Sequence, residues 1–274
     1  MKLKITVVMV ILLSLIVIKS YSQSKNYGSI SYTKAMDISG KQRTLSQKMS
    51  KAYILITKGI NNREIKRELE YSRAAFQRDL DILKKNASSA VLKLNIKNIE
   101  KIWNKFKKLA DINSDYNNSL EVMELNTDLL KACDELTLSI QQSSNYNTQF
   151  FQNKNQDLVE TINTISKQRM LSQRLCLYYI VYNMFPDKQE EHLRILNQTF
   201  NEFNNTSSNL LKYENTSKEI RKEINIVKSQ WKKFQINQRG FINHEFALQE
   251  VIKTTNSITE SYNKITKIYL GMTK

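Results

Sequence analysis

Lys41-Gln-Arg-Thr-Leu-Ser-Gln-Lys-Met49 returns 126 residues later as Lys167-Gln-Arg-Met-Leu-Ser-Gln-Arg-Leu175. Six of the nine positions are identical, and two of the other three exchange Lys for Arg and Met for Leu. Such a repeat marks two copies of one module. Weaker echoes keep nearly the same spacing. Ile102-Trp-Asn-Lys-Phe106 answers Gln230-Trp-Lys-Lys-Phe234, which puts the two tryptophans 128 residues apart, and Phe76 and Phe203 fall at a similar offset. The chain reads as an internal duplication, with the repeated phrase as the place to look for function.

Five glycines and one proline in 274 residues leave little material for hairpins, and apolar residues recur at spacings of three and four. The fold class is therefore all-α. Helices are predicted over 29–60, 63–85, 91–110 and from 119 onward, and again over 155–184, 186–209, from Thr216 or Ser217 to 238, and over 243–271, with Asn61-Asn62 stopping the first and Pro186 opening the sixth. This divides the chain into two tandem antiparallel four-helix bundles, 27–146 and 153–274, related by a pseudo-twofold repeat. The Gln- and Asn-rich stretch 141–156 holds no Gly or Pro, so one continuous helix is expected to join the halves.

Residues 1–22 read as a signal peptide: Lys2 and Lys4 precede an uncharged run, Ile5–Ile18, and Ser20-Tyr21-Ser22 supplies small residues at the cleavage positions. The run spans 14 residues, short of the roughly 20 that a spanning helix needs. Cleavage near Ser22/Gln23 makes the protein periplasmic or secreted, with an uncleaved N-terminal membrane anchor as the alternative. Losing Lys2, Lys4 and Lys19 takes the formal charge from +16 to +13. That surplus suits anionic partners, but export argues against nucleic acid. The lysines also alternate with carboxylates, as in Glu64-Ile-Lys-Arg-Glu-Leu-Glu70, which is the pattern of solvated helix faces. Cys133 and Cys176 form either one bridge or, as their helical setting favours, two small packing side chains.

On a helical projection Ile38, Leu45, Met49, Ala52 and Ile56 share one stripe, the seam of their own bundle. Ser39, Arg43, Ser46 and Ser50 form another line, turned away from it; in the second copy that line reads Ile165, Arg169, Ser172 and Cys176. Hydroxyls and one guanidinium make poor core but a good second contact face. Two such faces brought together place Arg43 opposite Arg169. Facing guanidiniums in a dry interface repel unless an oxyanion lies between them, where each can donate two charge-assisted hydrogen bonds. No carboxylate occurs between Asp37 and Glu64, or between Glu160 and Asp187, so the phrase is expected to lack a local counter-ion. The alternative is that both arginines lie on solvated surface or pair with a nearby carboxylate.

The stretch Met36-Asp-Ile-Ser-Gly-Lys-Gln-Arg-Thr-Leu-Ser-Gln-Lys-Met-Ser-Lys-Ala-Tyr53 resembles the opening helix of the PilJ-type sensor domain of type IV pilus methyl-accepting chemotaxis transducers. It is also similar to the ligand-binding segment of nitrate/nitrite sensor kinases, in which Gly, Arg, Ser and a basic residue recur at fixed offsets. Here these are Gly40, Arg43, Ser46 and Lys48, then Ser166, Arg169, Ser172 and Arg174. The resemblance implies that one anion is held between paired arginines, supplied in those sensors by two subunits and here by two repeats of one chain. An oligomer is then not required. Two departures stand out: Gly40 becomes Ser166, and no signalling region follows, so a membrane-bound sensor or receptor is the expected partner.

An enzyme is not expected. His192 and His244 stand alone in the sequence, no glycine-rich phosphate loop occurs, and no cofactor or metal is implied. Three readings remain. An oxyanion-binding module (nitrate or nitrite) would bury Arg43 and Arg169 near one another, with Gly40, Ser39, Ser46, Ser172, Lys48 and Arg174 around them. A structural adaptor that docks a membrane receptor or pilus-related partner would leave one serine/arginine face open. A protein that adheres to envelope polymers would show a contiguous lysine patch.

Overall fold

The computed structural model describes residues 26–110, 115–146, 154–209 and 217–271. The signal-peptide segment 1–22 and the centre of the join, 147–153, lie outside the described residues. Among those described the chain is an all-α bundle without a strand: α1 (Tyr32–Thr57), α2 (Arg63–Asn86), α3 (Ala90–Ala110), α4 (Tyr116–Tyr146), α5 (Lys154–Val181), α6 (Gln189–Asn209), α7 (Lys218–Ile236), the short α8 (Gln238–Ile242) and α9 (Leu248–Gly271). None of these helices is long and apolar enough to cross a membrane.

Local chemistry sets the ends. Ser31, Asn62 and Ser217 cap α1, α2 and α7, each side chain accepting from the backbone N–H three residues on. The stop of α1 is not Asn61-Asn62, as the sequence suggested, but Gly59, whose φ of 82° reverses the chain. Ile60 N–H then donates to Leu55 C=O and Gly59 N–H to Ile56 C=O, a Schellman closure that a residue with a Cβ would strain. Pro186 opens a 3-10 turn, Pro186–Lys188, that leads into α6.

Two helices form the centre. α1 packs against α2, α4 and α5, while α5 packs against α6, α9 and α1. α1 is consequently buried on every side, including Ser39, Gln42, Arg43, Ser46, Gln47, Ser50 and Lys51. Matched contacts hold each centre helix to its own neighbours. Gln42 Nε2 donates to Phe76 C=O on α2 and Gln168 Nε2 to Phe203 C=O on α6. Trp103 lies 4.5 Å from Phe76 and Trp231 4.6 Å from Phe203, ring centre to ring centre. Their indole N–H groups donate to Gln77 and Asn204. Cys133 and Cys176 are free and buried, and burial pushes both thiols up.

α4 and α5 do not form the single continuous helix expected through 141–156. Asn163 donates to Gln141 at 2.9 Å. On one straight helix those residues, 22 apart, would lie about 33 Å from each other. The two helices fold back on each other instead. A polar Gln/Asn tract carries no apolar stripe to hold an isolated rod, so packing decides against it.

Candidate functional site

α1 and α5 lie side by side and come into close contact at Gly40 and Ser166. A Cβ added to Gly40 would fall 2.4 Å from both Cβ and Oγ of Ser166. Glycine is therefore used here for helix approach, not for access of a ligand to backbone. Gly40→Ala is expected to lower stability by about 1–3 kcal/mol, because the helices must separate to admit the methyl group. The gain in helix propensity, about 1 kcal/mol, offsets only part of this. Thermal unfolding of Gly40→Ala, Ser166→Gly and the double variant checks it, with the double variant recovering most of the loss.

This crossing buries both arginines, Arg43 at 4 % exposure and Arg169 at 1 %. Each reaches across to the other helix at the position six before its own counterpart. Arg43 donates to Asn163 at 2.9 Å and Arg169 to Asp37 at 3.2 Å. Each also reaches back into its own half: Arg43 to Asp134 at 3.0 Å, Arg169 to Asn263 at 3.1 Å. Arg169 further donates to Ser166 at 2.6 Å. Each guanidinium thus receives one carboxylate and one amide, with the two sources exchanged between the copies. The expectation that the phrase lacks a counter-ion is overturned: Asp37 stands on its own helix and Asp134 folds in from α4. The Nε–H of both arginines has no partner although both atoms are buried.

The electrostatics follow from this crowding. Burial pushes the Asp37 carboxyl up, but Arg169, Lys41 and Lys34 outweigh it and hold the group below its ordinary range. Burial lowers Arg169, Asp37 opposes this, and the nearby Arg43 adds to the lowering. The two guanidiniums therefore do feel each other across the seam.

Among the other expected site residues, Ser46 and Ser172 are buried, and each hydroxyl donates to the carbonyl of the arginine three residues before it, at 2.8 Å. Ser172 also bonds Thr259. Ser39 likewise donates to Met36 C=O. Apart from the Ser172–Thr259 bond, these hydroxyls serve their own helices. Lys48 and Arg174 are not beside the arginine pair's crossing. Lys48 faces Glu68 at 3.4 Å, and burial lowers its pKa. The Arg174 guanidinium lies 4.8 Å over the Tyr178 ring. They line two clefts that reach the arginines separately, Lys48 with Arg169 in one and Arg174 with Arg43 in the other.

Sequence reasoning missed Asp37, Asp134, Asn163, Asn263 and Lys51. Asp37 and Asn163 carry a signal in the offset, both lying six before an arginine of the repeated phrase. Lys51 is fully buried and donates to Glu68, Gln173 and Asn256, which ties α2, α5 and α9 to α1. Its counterpart in the second copy is the buried Leu177, so the repeat gave no hint of it. Among the described residues no group of three or more His, Cys, Asp or Glu is placed to hold a metal ion.

These features define an all-α bundle with a charged, duplicated seam at its centre. The chain matches no protein-family model, no curated protein and no solved structure. The likeness to PilJ-type and nitrate-sensing domains rests on the motif residues alone.

Proposed function

We propose that the protein is an exported, sensor-type binding module that holds a small oxyanion of the nitrate or nitrite class between Arg43 and Arg169 and passes occupancy to a membrane partner. The observation that carries this reading is the burial of both arginines of the repeated phrase in one seam, each with an unused Nε–H. Each guanidinium already holds one carboxylate, but each keeps a buried Nε–H donor that an incoming anion can take. Arg43 is the adaptable partner. Its carboxylate, Asp134, is 41 % exposed and lines an open cleft, so it can swing to water as an ion enters.

A second reading is favoured by a specific observation. Asp37 and Asp134 already match the two arginines in charge, and Gln42/Gln168, Ser46/Ser172 and Gln47/Gln173 all make bonds internal to the fold. On that reading the seam is a polar bolt inside a rigid adaptor and no small ligand binds, although both serine/arginine faces are buried and neither is left open as an adaptor was expected to leave one.

Calorimetric titration with nitrate, nitrite, sulfate and chloride separates them. Besides Arg43→Ala and Arg169→Ala, the informative variant is Asn163→Asp, which gives Arg43 the counterpart of Asp37 without emptying the seam. The oxyanion reading expects one nitrate or nitrite per chain, lost in all three variants. Heat no larger than dilution for every anion, in a folded wild-type protein, assigns the seam to architecture alone.

A further inference from the structure

The clefts that reach the arginines from opposite sides are equivalent by the repeat but unequal in charge. In the first, between α1 and α9, Lys34, Lys41, Lys48, Lys267 and Arg169 stand against a single carboxylate, Asp37. In the second, Arg43, Lys167 and Arg174 face two, Asp134 and Glu202. Glu68 answers Lys48 from behind, and Asp37 is already shared among Arg169, Lys41 and Lys34 at 3.2, 2.8 and 4.0 Å. Counting direct ion pairs alone, the first cleft keeps a surplus of positive charge, with Asp79 and Glu260 standing further off from Lys41 and Lys48. Arg169, a side chain 1 % exposed, also lines it, and its buried Nε–H has no acceptor in the fold.

Charge is half of the cleft's character. Its volume is about 380 Å³, within the size range of about 300–1,000 Å³ for small-molecule sites. Leu45 and Leu270 form part of its wall, and Tyr71, 68 % exposed, stands at its edge. Lysines offer compact point charges that reward total charge over planar shape. An apolar wall with an aromatic ring rewards a carbon body.

We infer that the α1/α9 cleft is a second ligand site, for a small organic dianion such as a phosphate monoester or a dicarboxylate. The charged groups lie among Lys34, Lys41 and Lys267 over the Arg169 floor, and the carbon body lies against Tyr71 and Leu270. Such a ligand touches α1, α2 and α9 at once and so clamps α9 to α1. The site shares Arg169 with an ion between the arginines but differs in its other groups: Arg43 is not part of it, and Lys34 and Lys267 are not part of the arginine pair.

The test is titration of the purified protein at low salt with glycerol phosphate, succinate, inorganic phosphate and nitrate. Wild type is expected to bind one glycerol phosphate or succinate per chain. Lys34→Gln/Lys267→Gln, which alters two solvated side chains, should weaken that binding about tenfold. Lys167→Gln, in the other cleft, should leave it within about twofold. The inference is overturned by absence of saturable binding of either organic anion, or by equal weakening in the two variants. It is also overturned if inorganic phosphate binds as tightly as the organic anions, since Tyr71 and Leu270 would then contribute nothing. Nitrate binding that is lost in Arg43→Ala but intact in Lys34→Gln/Lys267→Gln reports on the arginine seam, so the two sites succeed or fail separately.

Discussion

Replacing Asp37 by alanine is expected to destabilise the protein by about 3–5 kcal/mol, the cost of leaving one member of a buried ion pair without its partner. Asp37 and Arg169 are each 1 % exposed, so water cannot take over the lost interaction. Asn263 and Ser166 still accept from the guanidinium, but neither carries charge. Asp37→Ala combined with Arg169→Leu is expected to recover most of the loss, because an apolar pair of suitable volume avoids the desolvation cost altogether. Urea unfolding of the two single variants and the double variant gives the coupling directly. Additive losses in the double variant would mean that the pair does not act as a unit.

The same carboxylate sets an acid limit. Its pKa is lower in the folded protein than the value of about 3.9 in an unfolded chain. A depressed carboxylate contributes stability above the unfolded value and loses it as pH falls through the folded one. Glu68, held low by Lys51 and Lys48 against the opposing push of burial, acts in the same direction. The urea midpoint should therefore fall as pH drops below about 4, and Asp37→Asn should flatten that limb.

Trp103→Ala and Trp231→Ala are each expected to cost about 3–5 kcal/mol. Both rings are buried, both pack at a tilt against the matched Phe76 or Phe203, and both leave an amide acceptor behind when removed. Trp231 should be the costlier, since it also contacts Phe200 and Phe241, the latter on the short α8. Because α1 and α5 share one buried seam, both variants are expected to lower the same single calorimetric transition. A wild-type protein with two separate transitions, each sensitive to one tryptophan, would show that the halves unfold independently and that the seam couples them weakly.

Much of the fold was legible in local chemistry. Thr216-Ser217 before Lys218-Glu-Ile-Arg marked a helix start that Ser217 caps, and the Trp–Phe echoes marked the duplication before any contact was known. The site was legible in part. Arg43 and Arg169 were found from the repeat, but the helix line left open whether they are buried or lie on solvated surface. Their partners were not found. Asp134 lies 91 residues from Arg43, and Asp37 lies 132 from Arg169. Scanning for a carboxylate near the phrase cannot find a counter-ion brought in by packing.

What the sequence determined by itself was therefore periodic and local: helices, caps, two copies of one phrase, and the two residues of that phrase unsuited to a core. Only the tertiary structure decided that Gly40 serves the approach of α5, that α4 turns back instead of running on, and that Asp37 and Asp134 neutralise the arginines. It also decided that one of two equivalent clefts keeps the surplus charge. The reason is physical: helix formation depends on neighbours within about four residues, whereas ion pairing and helix approach depend on which faces burial brings together.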